Sequence, residues 1–183
     1  MAEVRGAVLR GILKDAKHSY AGGARGLVQS LPEDVRNDYF RSPIAAGGFY
    51  PYEVFATLIE TYADLISPGQ PKVMQEVGAR TAQFDFNTLT KAYAALSSPI
   101  RIADMPSRLW AQRFKDAGSA ASEKGETHFR FTIYEFPQIH RLHCEILTGY
   151  GRFSGEQFNK NFTNTHDRCV HRGDPDCSFL AKW

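Results

Sequence analysis

Apolar positions over the first two thirds of the chain recur at helical spacing. Val8, Leu9, Ile12, Leu13 and Ala16 share one face, and Gly22-Gly23 then breaks the pattern. Leu27, Val28 and Leu31 predict a short second helix stopped at Pro32, and residues 33–40 a third that leads into the loop 42–48. The clearest helix starts at Pro51, a residue suited to a first helical turn. Behind it Phe55, Leu58, Ile59, Tyr62 and Ile66 form one apolar stripe that ends before Ser67-Pro68-Gly69. Pro71 opens a longer helical stretch through Met74, Val77 and Phe84, interrupted near Asp85. Leu89, Ala92, Tyr93 and Leu96 continue helically to Ser97-Ser98-Pro99. Pro106 then starts a helix carrying Leu109, Trp110 and Phe114 on one face and stopping at Gly118.

After that the period changes. Residues 127–133 alternate polar and apolar through Phe129, Phe131 and Ile133, the pattern of a half-buried strand. Residues 119–126 are placed to pair with it as a hairpin. Pro137 opens a helix bearing Ile139, Leu142, Ile146, Leu147 and Tyr150, closed near Gly151 or Gly155. The tail reads as a second hairpin, with strands over 161–170 and 177–183 joined across Gly173-Asp174-Pro175-Asp176. Helices first and a small antiparallel sheet after them predict a single α+β domain over 1–183, mainly helical to residue 118.

Composition narrows the function classes. Hydrophobic residues make up 43% of the 183 and charged residues 23%, which sets disordered and fibrous chains aside. The net charge of +2 supplies no electrostatic footprint for nucleic acid or for an anionic membrane. No apolar run is long enough to span a bilayer, and Arg10 and Lys14 interrupt the only stretch resembling a signal peptide. The chain is therefore expected to be cytoplasmic, where three cysteines do not suggest a disulfide framework.

Those cysteines carry the most specific chemistry. Cys169 and Cys177 lie on opposite arms of the terminal hairpin, His166 precedes Cys169 by three residues, and Cys144 sits on the preceding helix. Thiolate and imidazole are the donors zinc prefers, so Cys144, His166, Cys169 and Cys177 are a candidate tetrahedral zinc site. Such a site would pin a hairpin arm, residues 158–168, too polar to dock by burying apolar area. Three unlinked buried cysteines equally suit a core without any metal.

Arg168-Cys169-Val170-His171-Arg172-Gly173-Asp174-Pro175-Asp176-Cys177-Ser178-Phe179, with Trp183 behind it, resembles the closing signature of 4-vinyl reductase-type domains. Cys144 followed by Gly149-Tyr150-Gly151 resembles that family's upstream cysteine helix. Phe49-Tyr50-Pro51-Tyr52, Val77-Gly78-Ala79-Arg80 and Ser98-Pro99 ahead of Leu109-Trp110 extend the likeness over most of the chain. The resemblance implies a fold related to haem–nitric-oxide-binding domains and to Golgi tethering subunits. It also implies ligand sensing, as in phenol-responsive activators, and structural zinc held by three cysteines and a glutamate. His166 stands at the glutamate's place, which changes the ligand set rather than abolishing the site.

The expected function is a non-enzymatic small-molecule sensor. Trp110, Phe114, Phe129 and Phe131 are candidate walls of an apolar pocket, with Tyr134 as a hydrogen-bond donor. The same aromatics suit a plain core, and a cavity between them separates the two readings. A homodimerising interaction module is the alternative, as is binding or reduction of a tetrapyrrole such as a chlorophyll precursor. No nucleotide fingerprint and no legible catalytic constellation supports an enzyme. Haem is also set aside. His18, His128, His140, His143 and His171 are available, but the Tyr-x-Ser-x-Arg motif that grips its propionates in nitric-oxide sensors is absent.

Overall fold

A computed structural model describes residues 1–86, 100 and 103–183. The helical continuation expected at Leu89, Ala92, Tyr93 and Leu96, with its stop at 97–99, lies outside the described residues. Elsewhere the periodic segments become the expected elements. Helix α1 (Gly6–Ser19) buries Leu9, Ile12 and Ala16, and short helices α2 (Gly23–Gln29) and α3 (Glu33–Tyr39) come next. Helix α4 (Tyr52–Ile66) buries the predicted stripe of Phe55, Leu58, Ile59 and Tyr62. Helix α5 (Val73–Asp85) ends at the expected interruption, and α6 (Met105–Arg113) has its proline in the first turn.

Strand β4 (Ser119–Lys124) pairs antiparallel with β5 (His128–Tyr134), as the alternation predicts. Helix α7 (Arg141–Glu156) then leads to β6 (Thr163–Arg168) and β7 (Cys177–Lys182). The four strands form one antiparallel sheet in the order β4-β5-β7-β6. Register decides its inner face. Phe129, Phe131 and Ile133 of β5 stand opposite Ala181, Phe179 and Cys177 of β7, and all six are buried. His166 of β6 stands opposite Phe179 and stacks on its ring at 4.7 Å.

Three features depart from the expected pattern. Helix α6 ends at Arg113 rather than Gly118, because Phe114 is already extended and enters a strand. Helix α7 starts at Arg141 rather than Pro137, because His140 turns its Nδ1 back to accept the Leu142 N–H at 3.3 Å. A second sheet was not anticipated. Residues Glu3–Arg5 (β1), Phe49–Pro51 (β2) and Phe114–Lys115 (β3) pair in the order β2-β1-β3. Two or three residues are too few to show a period of two.

Buried polar and close-packed contacts hold the helical layer together. The fully buried Asp15 carboxylate accepts two bonds from the Arg80 guanidinium, at 2.7 and 3.0 Å, and one from the Tyr62 hydroxyl at 2.8 Å. That cluster joins α1, α4 and α5. Helices α5 and α7 touch backbone to backbone: a Cβ at Gly149 would lie 1.8 Å from the Gln75 carbonyl oxygen, and one at Gly78 2.0 Å from that of Ile146. Among the described residues no helix is long and apolar enough to cross a membrane.

Candidate functional site

Helices α1, α4, α5, α6 and α7 close over the inner face of the four-stranded sheet and leave a cavity of about 360 Å³. Its deep end is aromatic, formed by Phe55, Trp110, Phe114, Phe131 and Phe179, with Phe129 and Phe162 further along the sheet. Ile146 and Leu147 of α7 supply the aliphatic wall. The helical spacing of Trp110 and Phe114 and the alternation of Phe129 and Phe131 therefore bring all four expected wall residues to one space. Tyr134 is not among the lining residues. It has the parity of Thr132, opposite to that of Phe129, Phe131 and Ile133, so its side chain belongs to the other face of β5.

One imidazole sits in this aromatic surround. His143 lines the cavity and is 2% exposed. Its ring stacks on Trp110 at 5.7 Å and meets Phe55 and Phe114 at 5.0 and 5.1 Å. Its Nδ1 lies 3.0 Å from the Tyr52 hydroxyl, and that oxygen also accepts the His140 backbone N–H at 2.9 Å. Burial pushes the His143 pKa down to about 3, so the ring is neutral at ordinary pH. Burial likewise raises the Tyr52 phenol and keeps its proton in place. The Trp110 indole N–H is already used, donating to the Ala117 carbonyl at 3.2 Å.

The opposite end is polar and more open. Asp85 accepts from the Arg113 guanidinium and from the Tyr150 hydroxyl, each at 2.8 Å, and Arg113 also lies over the Tyr150 ring. Burial raises the Tyr150 phenol to about 12, so it stays a donor there. Met105 is 40% exposed at this mouth. The buried Ser154 hydroxyl, also on the lining, has no partner among the described residues.

The second expected constellation also assembles. Donor atoms of Cys144, His166, Cys169 and Cys177 lie within 4.8 Å of one another, close enough to face one metal ion. Cys144 Sγ is 3.8 Å and Cys169 Sγ 4.0 Å from Cys177 Sγ, and Cys177 also accepts the Val170 N–H at 3.5 Å. Gly173, at φ 90°, turns the loop so that the Asp174 carboxylate accepts the Cys169 N–H at 2.7 Å. The hydrogen bond from the Cys144 thiol drives the Cys177 pKa down while the Cys144 pKa rises.

No family model and no curated protein matches the chain. Solved structures do. An H-NOX protein from S. oneidensis in the Fe(II)NO ligation state superposes with a TM-score of 0.62 at 12% identity, covering 97% of this chain and 98% of that one. A mutant Fe(II) unliganded H-NOX protein from K. algicida gives 0.65 at 11% identity over 97% and 95%. A structure described as probing heme distortion in the H-NOX family gives 0.67 at 11% identity over 98% and 94%. The chain thus shares the fold of the haem–nitric-oxide-binding proteins along nearly its whole length. This agrees with the fold that the resemblance of the cysteine motif implied, but does not support the narrower 4-vinyl reductase-type assignment.

The likeness also corrects the expected zinc. The cofactor named for proteins of this fold is haem.

Proposed function

We propose that the chain is a non-enzymatic sensor domain that takes a small, mainly apolar organic molecule between its helical layer and its sheet. One observation carries this reading: the aromatics expected at the pocket surround open space instead of filling it. A well-packed core leaves few voids larger than a water molecule, so a cavity of about 360 Å³ is a binding feature. Native mass spectrometry of protein purified without additives tests it. The expected result is one small organic molecule retained per chain, or taken up from an added aromatic. A protein that neither carries nor accepts one overturns the reading.

Haem is the second reading, favoured by the relatives of the fold. The described residues do not fit it. His143 is the one histidine on the cavity among them, and its Nδ1 is engaged by Tyr52, which also receives the His140 N–H. A tyrosine hydroxyl that gives its proton to Nδ1 puts the imidazole proton on Nε2, so iron there would require the tautomer to reverse. The rim offers Arg113 already neutralised by Asp85, where a porphyrin brings two carboxylates of its own. Titration with hemin separates the readings. A Soret shift saturating at one haem per chain, lost in His143→Leu, would establish haem.

Cys144, His166, Cys169 and Cys177 serve here as one structural unit that ties α7 to the β6–β7 hairpin. The sensor is further proposed to act as a homodimer, which gel filtration coupled to light scattering checks.

A further inference from the structure

We infer that the His143 Nε2–H is the recognition donor at the closed end of the cavity, and that the molecule taken there is uncharged and carries an acceptor oxygen on an aromatic or apolar body, as in a ketone, aldehyde or ester. The inference rests on the pocket proposed above and adds the chemical class of its occupant.

Hydrogen-bond direction decides the proton's place. Tyr52 at the start of α4 is 4% exposed, and its hydroxyl faces two groups. The His140 backbone N–H can only donate, so it fills an acceptor position on that oxygen at 2.9 Å. The phenol proton then needs an acceptor, and among the described residues the group within reach is His143 Nδ1 at 3.0 Å. The chain of bonds therefore runs His140 N–H to Tyr52, then Tyr52 O–H to His143 Nδ1. A neutral imidazole carries one proton, and this order places it on Nε2.

No protein partner of Nε2 is found among the described residues, although the ring lines the cavity. The surrounding rings of Phe55, Phe114 and Trp110 cannot accept a strong hydrogen bond, and the Trp110 N–H is itself occupied. An N–H that opens on this aromatic surround selects for a molecule that brings an oxygen to it, because an apolar occupant leaves the donor unpaired. Charge is disfavoured at the same place: a carboxylate would leave water for an aromatic wall, and the ionic pair described on the cavity lining, Arg113 and Asp85, is already neutral. The body of the molecule meets Phe131, Phe179 and Ile146.

Acetophenone and ethylbenzene differ by one carbonyl in nearly the same shape, which makes them the probes. Calorimetric titration of the full chain should show acetophenone binding on the order of tenfold more tightly. His143→Leu should abolish that preference while ethylbenzene still binds. Tyr52→Phe should reduce the preference severalfold, because either tautomer then becomes available. A ¹⁵N spectrum of histidine-labelled protein reads the tautomer without any ligand, with Nε2 protonated and Nδ1 bare as the expected result. Equal binding of the two probes leaves the pocket standing and overturns this inference, as does a proton on Nδ1. Failure of both probes to bind overturns the pocket reading, and this one with it.

Discussion

The α5–α7 contact allows a prediction whose sign depends on which of two effects is larger. In Gly149→Ala the new methyl would stand 1.8 Å from the Gln75 carbonyl oxygen, where ordinary contact begins near 3.4 Å. Alanine in a helix interior is better than glycine by about 1 kcal/mol. Overpacking costs about 1–3 kcal/mol and sometimes more, and here the obstacle is backbone, which no rotamer change relieves. At 1.8 Å from backbone the steric cost stands at or above the top of that range, so it wins with a net loss of about 2 kcal/mol. Gly11→Ala is the matched control. It also lies in a helix, but among the described residues its methyl meets only the Thr81 side chain, at 3.8 Å. There the propensity gain stands alone, and the variant should be more stable by about 0.5–1 kcal/mol. At roughly 2–4 °C per kcal/mol for a chain of this size, thermal melts followed by circular dichroism should show Gly149→Ala falling by about 4–8 °C and Gly11→Ala rising by a few degrees. Shifts of the same sign in both variants would refute the reasoning. Gly149→Ala should also weaken ligand binding, because α5 and α7 carry Thr81, Ile146, Leu147 and Tyr150 of the cavity wall.

Three further outcomes can be measured. Arg80→Ala leaves the fully buried Asp15 without its cation and should cost about 3 kcal/mol in urea unfolding, toward the low end of such losses because Arg80 is partly exposed; an unchanged midpoint counts against the cluster. His143 titrates near 3 when folded and about 6.5 when unfolded, so the unfolded chain binds the proton first as pH falls. Its contribution is complete above pH 6.5 and shrinks by on the order of 2–3 kcal/mol by pH 4.5, so His143→Leu should flatten that part of the pH–stability curve, and an equal slope in both proteins rejects it. Cys144, Cys169 and Cys177 are all buried, so Ellman's reagent should modify them only as fast as the native state opens, and a rapidly reacting thiol contradicts the cluster.

Helix α7 joins the two constellations through neighbouring residues. His143 turns toward the cavity and Cys144 toward the hairpin sulfurs, so one helix face positions the pocket's donor while the next residue anchors that helix to the sheet. The anchor matters because β6 is polar and its outer positions are exposed. Little apolar burial holds that strand, and the sulfur cluster with the stacked His166–Phe179 pair supplies the fixed contact instead. A pocket wall set by a tethered helix keeps its donor in one orientation, which lowers the ordering cost when a ligand arrives.

How far the site could be read beforehand depends on the range of each contact. The four cysteine and histidine donors were legible because their chemistry is rare and two of them flank one turn. Trp110, Phe114, Phe129 and Phe131 were legible as inward-facing because helical spacing and strand alternation are local signals. The alternation also contained the fate of Tyr134, since a strand that turns Phe129, Phe131 and Ile133 inward turns residue 134 outward. Neither the cavity nor its donor had such a signal. A stripe of aromatics looks the same whether it meets filler or empty space, and His143 looked like one histidine among several on the chain. Its special position comes from Tyr52, a partner 91 residues away in sequence. The partial clue was its spacing from Ile146 and Leu147, which puts the imidazole on the apolar face of α7. A polar ring on that face must find a partner in the fold or take one from a ligand, and His143 Nδ1 has the first while Nε2 is left for the second.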